Sequence, residues 1–344
     1  MNPVELVQSA LQASTALVQA GSTARTQGLQ LMAQLLRQQR NAILEANTLD
    51  LETSREMEVP LLLLDWLKLT PERLETVIQV LQALAETPDP VGAAVPGMPD
   101  AIWSPLGTIA LLYESLPGLG VMAAGMGVRS GNALFLKGGS EASQTNAVLF
   151  DLWQQALTQA NLPAQGLINL SPESGSVLKD LLALTYGLNL VIPYGRPSWV
   201  DQMVRQTTVP VLRSAIGNVY LYWGMGASME LVRDLILDSH RSELDPVNAI
   251  EKVLIAPTQS DTNLLRLWES LQEKDFELRG DAELGVTFPT LQPVDPVEWS
   301  KSYLRKAVAF RRVVDLNEAI ALMNRCSSGH ANAIATDSYT ESQR

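Results

Sequence analysis

The sequence predicts an α/β protein with a mainly parallel sheet followed by a second α/β unit. The chain has 344 residues, which suits two domains or one large domain with a satellite. Its first ninety residues show helical periodicity, whereas short apolar runs alternate with helix-length stretches from residue 106 onward. Such alternation is typical of parallel sheets covered by helices on both faces.

Three helices are predicted in the first ninety residues. Apolar stripes at helical spacing define the first two: Val4, Val7, Leu11 and Val18, then Met32, Leu35, Leu36 and Ile43. The third begins at Thr70, a good N-cap, with Pro71 at the first helical position. It ends at the breaker Pro88–Gly92.

The remaining elements follow from short apolar runs and from the stretches between them. Strands are predicted at Thr108–Leu112, Ala133–Leu136, Leu167–Leu170, Leu188–Ile192, Val209–Leu212, Val219–Tyr222 and Lys252–Ile255, and helices near 141–160, 173–184, 196–206, 228–238, 261–273 and 316–324. The Gly-rich segment Trp223–Gly226 predicts a junction between domains 1–224 and 225–344. Ala333–Thr336 resembles a strand shortly before the last residue, so the second domain is expected to be incomplete.

Composition excludes several classes of function. Lys and Arg number 25 against 37 Asp and Glu, and a net charge of −12 argues against nucleic-acid or acidic-membrane partners. One cysteine excludes an intramolecular disulfide, and two distant histidines argue against a metal site, so none is expected. The first residues show no secretory signal, and Glu114 and Pro117 interrupt the most apolar stretch, so we expect a cytoplasmic protein.

The segment most suited to chemistry lies between Pro105 and Asn146. A predicted strand ends there in Lys137-Gly138-Gly139-Ser140 and leads into a helix. A cation, backbone N–H groups and a helix N-terminus would suit a ribose or a phosphate. The alternative is an ordinary helix start with Ser140 as N-cap and the glycines as its turn. Neither a G-x-G-x-x-G fingerprint nor a Walker A motif is present.

Motifs along nearly the whole chain indicate a family. In order they are Ala46-Asn47, Asp50-Leu51, Leu67-Lys68-Leu69-Thr70, Pro88-Asp89-Pro90-Val91-Gly92, Pro105-Leu106-Gly107, Tyr113-Glu114, Ser130-Gly131-Asn132-Ala133, Gly138-Gly139-Ser140-Glu141-Ala142, Asn248-Ala249-Ile250-Glu251 and Ser328-Gly329-His330. With them the chain resembles γ-glutamyl phosphate reductase, or glutamate-5-semialdehyde dehydrogenase, of the aldehyde dehydrogenase superfamily. The resemblance implies an aldehyde dehydrogenase-like fold: a Rossmann-like cofactor domain at 1–224, an α/β catalytic domain at 225–344 that is truncated at the C-terminus, and a protruding oligomerisation hairpin.

The resemblance also implies an activity and its participants. The family uses NADPH to reduce L-glutamyl 5-phosphate to L-glutamate 5-semialdehyde in proline biosynthesis, and a homo- or hetero-oligomer is expected. The implied NADP(H) contacts are Pro105, Lys137, Gly138, Gly139, Ser140 and Glu141. Arg129 and His240 are the candidates for binding the anionic substrate, although a solvated helix end is an equally good interpretation of His240.

Two departures from the family pattern fall where the chemistry is expected. The family's nucleophile is a cysteine directly before Asn-Ala, whose thiolate forms a thioester as phosphate leaves. That position is Val247 here, next to Asn248, and valine cannot form a thioester, so no intact catalytic residue is expected. Leu116-Pro117-Gly118 also replaces the family's Arg-Pro-Asn. The alternative is therefore an inactive paralogue with a binding, regulatory or hetero-assembly role.

The single cysteine does not replace the missing nucleophile in the sequence pattern. Cys326 lies at the end of the predicted helix 316–324, where a structural role is expected because free cysteines are mostly buried and inert. His330 lies four residues later, so a Cys326–His330 hydrolase is a minor alternative. His330 matches a family histidine, for which we expect a structural role.

Overall fold

The computed structural model describes residues 2–170, 175–184, 186–215, 217–241 and 248–344. The chain divides into two compact units, Met1–Ser214 and Ala215–Arg344. The predicted junction at residue 224 therefore falls inside the second unit, because the strand Val219–Trp223 pairs with Ile250–Ile255 in the second sheet.

The first unit begins with five helices: α1 (Pro3–Gln19), α2 (Gly21–Gln38), α3 (Arg40–Glu56), α4 (Leu61–Leu67) and α5 (Pro71–Glu86). The helix predicted from Thr70 is confirmed as α5. The Thr70 side chain caps it by accepting from the backbone N–H of Arg73 at 3.2 Å. The apolar stripe from Met32 to Ile43 belongs to two helices, because α2 ends before Gln39 and α3 begins after it.

A two-stranded hairpin and a five-stranded sheet complete the first unit. Their elements are β1 (Ala94–Val95), β2 (Met98–Ile102), β3 (Thr108–Tyr113), α6 (Pro117–Ser130), β4 (Ala133–Gly138), α7 (Ser143–Gln159), β5 (Leu167–Asn169), α8 (Gly175–Leu182), β6 (Leu190–Gly195), α9 (Pro197–Gln206) and β7 (Ser214–Ala215). The predicted strand Val209–Leu212 is wrong. It makes one isolated bridge, Val211 to Val191, and Pro210 has no N–H to donate.

The strand order of this sheet is β5-β4-β3-β6-β7. Strands β3 to β6 are parallel, and alternate side chains face opposite helical layers. Leu111 and Leu134 pack with α2, α5, α6 and α7, whereas Ala110 and Phe135 pack with α1 and α8. The chain steps outward from β3 to β5 and then returns to β6 beside β3. The carboxyl ends of β3 and β6 therefore form a switch point, the usual position of ligand crevices in such sheets.

The second unit contains a six-stranded sheet of order β11-β10-β12-β9-β8-β13 in which every pair is parallel. Its elements are β8 (Val219–Trp223), α10 (Met229–Ser239), β9 (Ile250–Ile255), α11 (Asp261–Gln272), β10 (Glu277–Gly280), α12 (Ala282–Thr287), β11 (Gln292–Pro293), β12 (Ala307–Arg312), α13 (Leu316–Cys326), β13 (Ala333–Ala335) and α14 (Tyr339–Ser342). Helices α10 to α12 cover one face and α13 the other. Within the described ranges, no helix combines the length and apolarity that crossing a bilayer requires.

Candidate active site

An ion pair stands at the switch point of the first sheet. Glu114 follows β3 and Arg196 follows β6. The guanidinium donates from Nη2 to Glu114 Oε1 at 2.7 Å and from Nε to both carboxylate oxygens at 3.1 and 3.2 Å. The Glu114 side chain is 7% exposed and the Arg196 side chain 37%, so only the cation reaches the surface. A Cβ at Gly195 would lie 2.6 Å from Glu114 Oε2, so this close pairing needs glycine there.

A second carboxylate, that of Glu141, holds the turn after β3. Its Oε1 accepts from the backbone N–H and from the hydroxyl of Ser115, both at 2.8 Å. Ser115 is buried and has a left-handed backbone, with φ 54°. Such a conformation costs a non-glycine residue on the order of 1 kcal/mol or more, which these two bonds offset. A Cβ at Gly139 would overlap the Glu141 carboxylate, so glycine lets that carboxylate cross the turn.

Lys137 is the cation at the end of β4. It is half-buried, and its Nζ donates to the carbonyl of Gly138 at 2.7 Å. Burial lowers the pKa of Lys137, while the nearby Glu141 carboxylate acts in the opposite direction. Beside it, the Tyr113 hydroxyl donates to Asn146 Oδ1 at 3.1 Å, and burial raises the pKa of Tyr113. Lys137 therefore stands in a corner whose other polar groups are neutral or already hydrogen-bonded.

The N-terminus of α7 is occupied by a side chain of the protein itself. Asp50 on α3 accepts from the backbone N–H groups of Gln144 and Thr145 at 3.1 and 2.8 Å, and from the Thr145 hydroxyl at 2.7 Å. Ser140 instead begins a single 3₁₀ turn, so the prediction of Ser140 as N-cap is wrong. The backbone N–H groups at the start of α7, which were expected to bind a ligand, therefore donate to Asp50 instead. Lys137 is the group in this corner that would attract an anion.

Pro105 does not belong to this corner. Strands β3 and β4 are parallel, with Thr108 beside Ala133 and Tyr113 beside Gly138. Pro105 precedes β3, whereas Gly138 ends β4, so the two lie at opposite ends of the sheet, roughly 20 Å apart. The structure therefore does not bring Pro105 together with the other predicted cofactor contacts, and its contact with the cofactor stays a prediction.

Arg129 packs within the helical layer of the first unit. It is 5% exposed. Its guanidinium donates to the hydroxyls of Ser22 and Thr26 at 3.2 and 2.9 Å and to the carbonyl of Thr87. These bonds join α6 to the start of α2 and the end of α5, so the structure gives Arg129 a structural role in place of the predicted anion contact.

In the second unit, the structure describes Asn248 but not Val247, the predicted nucleophile position. Val247 lies outside the described residues, and Asn248 is exposed in a turn before β9. Because Val219 pairs with Ile250, the residues preceding β8 and β9 share the amino edge of the sheet. Asn218 occupies that edge before β8 and is 4% exposed.

His240 caps the end of α10. Its Nδ1 lies 2.9 Å from the carbonyl of Ile236, and its ring meets Phe276 edge-on with centroids 4.8 Å apart. Burial lowers the pKa of His240. His240 therefore stands at a helix end that is packed against Phe276 and not solvated as the alternative interpretation expected, and its predicted role in binding the substrate stays a prediction.

A buried ion pair on β9 was not found from the sequence. Glu251 and Lys252 are both fully buried, with Lys252 Nζ 3.5 Å from Glu251 Oε2. Glu251 accepts from the backbone N–H groups of Tyr303 and Leu304 at 2.6 and 2.7 Å, and Lys252 Nζ lies 3.6 Å from the Tyr303 ring centroid. Burial lowers the pKa of Lys252 to about 8 and raises that of Glu251. The pair fastens the segment before β12 to the amino edge of the sheet.

Cys326 and His330, the proposed pair of the hydrolase alternative, have different surroundings after α13. Cys326 is half-buried and packs in the apolar cluster under α13. Ser328 Oγ lies 2.8 Å from His330 Nδ1. In the described part of the chain, no three His, Cys, Asp or Glu side chains are grouped as metal ligands would be.

Comparison with known proteins decides the family. No protein-family model matches the chain. γ-Glutamyl phosphate reductase 2 of Synechocystis is 44% identical over 349 aligned residues, which cover 99% of this chain and 83% of that protein. The chain belongs to the γ-glutamyl phosphate reductase family.

Solved structures confirm the predicted aldehyde dehydrogenase-like α/β fold. The γ-glutamyl phosphate reductase of Thermotoga maritima superposes with a TM-score of 0.87 at 26% identity, covering all of this chain and 84% of that one. An engineered glycolyl-CoA reductase with bound NADP⁺ has a TM-score of 0.64 at 14% identity, covering 99% and 84%, and so shares the fold. Aldehyde dehydrogenases at similar identity share it too.

The departure from the family pattern at residues 116–118 has a structural counterpart in this family member. Leu116 stands just before α6 and is 6% exposed, so it packs inside the unit. A Cβ at Gly118 would lie 2.8 Å from Val77 Cγ2 on α5. An asparagine at that position would displace Val77, so the packing of α5 against α6 accompanies the loss of the family's Arg-Pro-Asn.

Proposed function

We propose that this chain uses NADPH to reduce L-glutamyl 5-phosphate to L-glutamate 5-semialdehyde, with release of phosphate. The observation that carries the proposal is the 44% identity to a γ-glutamyl phosphate reductase over 99% of the chain. The fold of the same enzyme from Thermotoga maritima supports it. The comparisons give no support to an inactive paralogue. In this proposal the first unit binds the cofactor and the second unit carries the reaction.

The corner at the carboxyl end of β4 fits a nicotinamide dinucleotide. Lys137 offers a half-buried cation, while the glycines at 138 and 139 make room for the Asn146 amide and the Glu141 carboxylate that pack against the backbone there. Ser140 is exposed, and Arg196 reaches the switch point from β6. These residues would hold the cofactor's ribose and phosphates. NADPH bound there would supply two electrons as a hydride to the acyl carbon, from which phosphate departs.

The same corner supports NADPH over NADH. A free carboxylate beside the adenosine ribose favours the 2′-hydroxyl of NADH and repels a 2′-phosphate. Here the Glu141 carboxylate is held by two donors of Ser115, and that of Glu114 is held by Arg196. Lys137 then presents a cation, and the Glu141 carboxylate near it is held by Ser115. Lys137→Met should therefore raise the KM for NADPH much more than the KM for NADH, as initial-rate kinetics would show.

Residue 247 decides how the reaction proceeds. Valine cannot form the thioester of the family route, so the unaltered chain must bind and orient the acyl phosphate for reduction without that intermediate. Removal of a covalent nucleophile commonly lowers kcat by several orders of magnitude, with about 10³–10⁴-fold over water left from binding and polar stabilisation in a protease case. We expect a slow reductase that Val247→Cys accelerates by at least about a hundredfold.

The test is NADPH oxidation with L-glutamyl 5-phosphate, measured on the unaltered chain, on Val247→Cys and on the control Val286→Cys. Val286 is 84% exposed on α12, so a cysteine there controls for the added thiol alone. A rate for the unaltered chain equal to that in buffer would reject the proposed activity. An equal gain in both cysteine variants would reject the assignment of residue 247.

We also propose that the β1–β2 hairpin joins copies of this chain into an oligomer. A lone two-stranded hairpin is marginally stable in water. Met98 and Ile102 are 61% and 66% exposed, and Trp103 beside them is 55% exposed. Covering these side chains would stabilise hairpin and assembly together. Light scattering after size exclusion should show an oligomer that Ile102→Glu dissociates, and a monomeric unaltered chain would contradict this.

The cytoplasm is the proposed compartment, since a chain with a single cysteine does not need an oxidising compartment to form an intramolecular disulfide.

A further inference from the structure

A hydroxyl and an imidazole meet on the loop after α13. Ser328 Oγ lies 2.8 Å from His330 Nδ1, and both side chains are exposed. Gly329 between them has φ 75°, a left-handed conformation that glycine adopts without strain. This turn places side chains two residues apart on the same side of the loop. Neither the family resemblance nor the proposed reduction uses this contact.

The hydrogen bonds around Ser328 leave its hydroxyl proton free to reach the imidazole. The backbone N–H of Asn218 donates to Ser328 Oγ at 2.8 Å, so the hydroxyl acts as acceptor there and keeps its own proton to donate. The hydroxyl has two acceptors within reach: the carbonyl of Asn218 at 3.3 Å and, in the tautomer that carries its proton on Nε2, His330 Nδ1 at 2.8 Å. A hydroxyl that donates to an imidazole nitrogen has the arrangement of an activated nucleophile and its general base.

Asn218 holds the Ser328 loop in place through its own hydrogen bonds. The Asn218 carboxamide is buried and donates to the carbonyls of Trp299 and Cys326 at 2.6 and 2.9 Å. The backbone N–H of Ser328 donates in turn to the Asn218 carbonyl at 3.2 Å. Asn218 precedes β8, and Ser328 lies in the loop that leads to β13, its neighbour. The pair therefore stands at the amino edge of the second sheet, the edge that also carries Asn248.

We propose that Ser328 and His330 form an acyl-transfer site for small activated acyl compounds, of which acyl phosphates are the class of interest. Ser328 Oγ bonds to the carbonyl carbon while its proton passes to His330 Nδ1. The bond between that carbon and the phosphate oxygen breaks, and phosphate leaves with the proton. Water, deprotonated by the same imidazole, then attacks the ester carbon; its bond to Ser328 Oγ breaks, the imidazole returns the proton to that oxygen, and the acyl group leaves as the carboxylic acid. The reaction is a hydrolysis without oxidation or reduction, so it goes beyond the proposed reductase activity.

The test uses acetyl phosphate as the probe, with the full chain and with no nicotinamide present. Phosphate release should exceed the rate in buffer, and Ser328→Ala should remove the excess. Ser327→Ala is the matched control, because Ser327 accepts from the N–H of Gly329 and from Asn332 on the same loop. His330→Gln keeps a hydrogen-bonding side chain but no base, so we expect a loss of about a hundredfold or more.

A second measurement separates catalysis from loop damage. Mass spectrometry of the chain quenched during turnover should find one acetyl group on the peptide that contains Ser328, and none in Ser328→Ala. Release equal in the unaltered chain and in Ser328→Ala, or an equal loss in Ser327→Ala with an unchanged melting temperature, would overturn the proposal. NADPH oxidation in the separate reductase assay does not depend on this outcome, so the two proposals fail independently.

Discussion

The buried pair Glu251–Lys252 gives a prediction whose size follows from the geometry. Lys252→Met removes the ammonium and keeps a similar volume, which leaves the Glu251 carboxylate with only two backbone donors, the N–H groups of Tyr303 and Leu304. At the observed 3.5 Å, an effective dielectric constant of about 20 gives an attraction of about 5 kcal/mol. Loss of one partner of a buried pair commonly costs about 3–5 kcal/mol. We expect that loss in the unfolding free energy of the second unit.

The double variant Glu251→Gln with Lys252→Met separates the charge from the packing. A glutamine oxygen still accepts a backbone N–H, and no uncompensated charge remains in the sheet. Replacement of both partners of a buried ion pair is often neutral or stabilising. The double variant should therefore recover most of the stability that Lys252→Met loses, which corresponds to a coupling of about 2 kcal/mol or more in the double-mutant cycle.

Urea denaturation followed by tryptophan fluorescence measures the stabilities, and hydrogen exchange of peptides from β9 and β12 assigns the transition to the second unit. Exposed Glu273 on the loop after α11 offers a control, since Glu273→Gln should change little. A coupling below about 0.5 kcal/mol would refute the reasoning, because it would mean that the two buried charges do not depend on each other.

Three further predictions test other parts of the structure. The pKa of Lys252 is lowered in the folded state to about 8 from 10.5, so the unfolded chain binds more protons between these values, and the unfolding free energy should rise with pH from about 8 to 10 in the unaltered chain but not in the double variant. Asp50→Ala removes the acceptor at the start of α7 and should cost about 1–3 kcal/mol in urea denaturation, whereas exposed Asp151→Ala on the same helix should not. Ser115→Ala removes one donor to the Glu141 carboxylate, so it should raise the KM for NADPH. The exposed control Ser104→Ala should leave that KM unchanged. An equal KM in both variants would contradict the role of Glu141 in cofactor binding.

Sequence periodicity predicted most of the long elements and missed several of the short ones. Helices α1, α5, α7, α11 and α13 and strands β3, β4, β8 and β9 lie close to their predicted positions, because each has an apolar face or run that one helical layer or sheet must bury. Strands β10 and β11 have four and two residues, too few to show a period. Their formation depends on neighbouring strands, which a local pattern does not contain.

The site was harder to predict because its contacts join distant parts of the chain. Lys137 and the glycines after it were found, since a strand that ends in Lys-Gly-Gly is visible locally. Glu114 and Arg196 are 82 residues apart, and Asp50 and Thr145 are 95 apart, so only the completed fold brings each pair together. The same limit explains Arg129, which resembles an anion ligand in sequence but is buried by helices that lie far along the chain.

The net charge of −12 sets the condition under which such a chain can hold an anionic ligand. Carboxylates near the ligand must be satisfied within the protein, or their repulsion opposes binding. In the first unit this condition is met three times: Asp50 accepts from the start of α7, Glu114 from Arg196, and Glu141 from Ser115. Each bond also fixes a turn at the carboxyl edge of the sheet. Arg196 compensates the charge of Glu114, whereas the neutral donors of α7 and Ser115 fix the positions of the Asp50 and Glu141 carboxylates, and Lys137 supplies the cation of this corner.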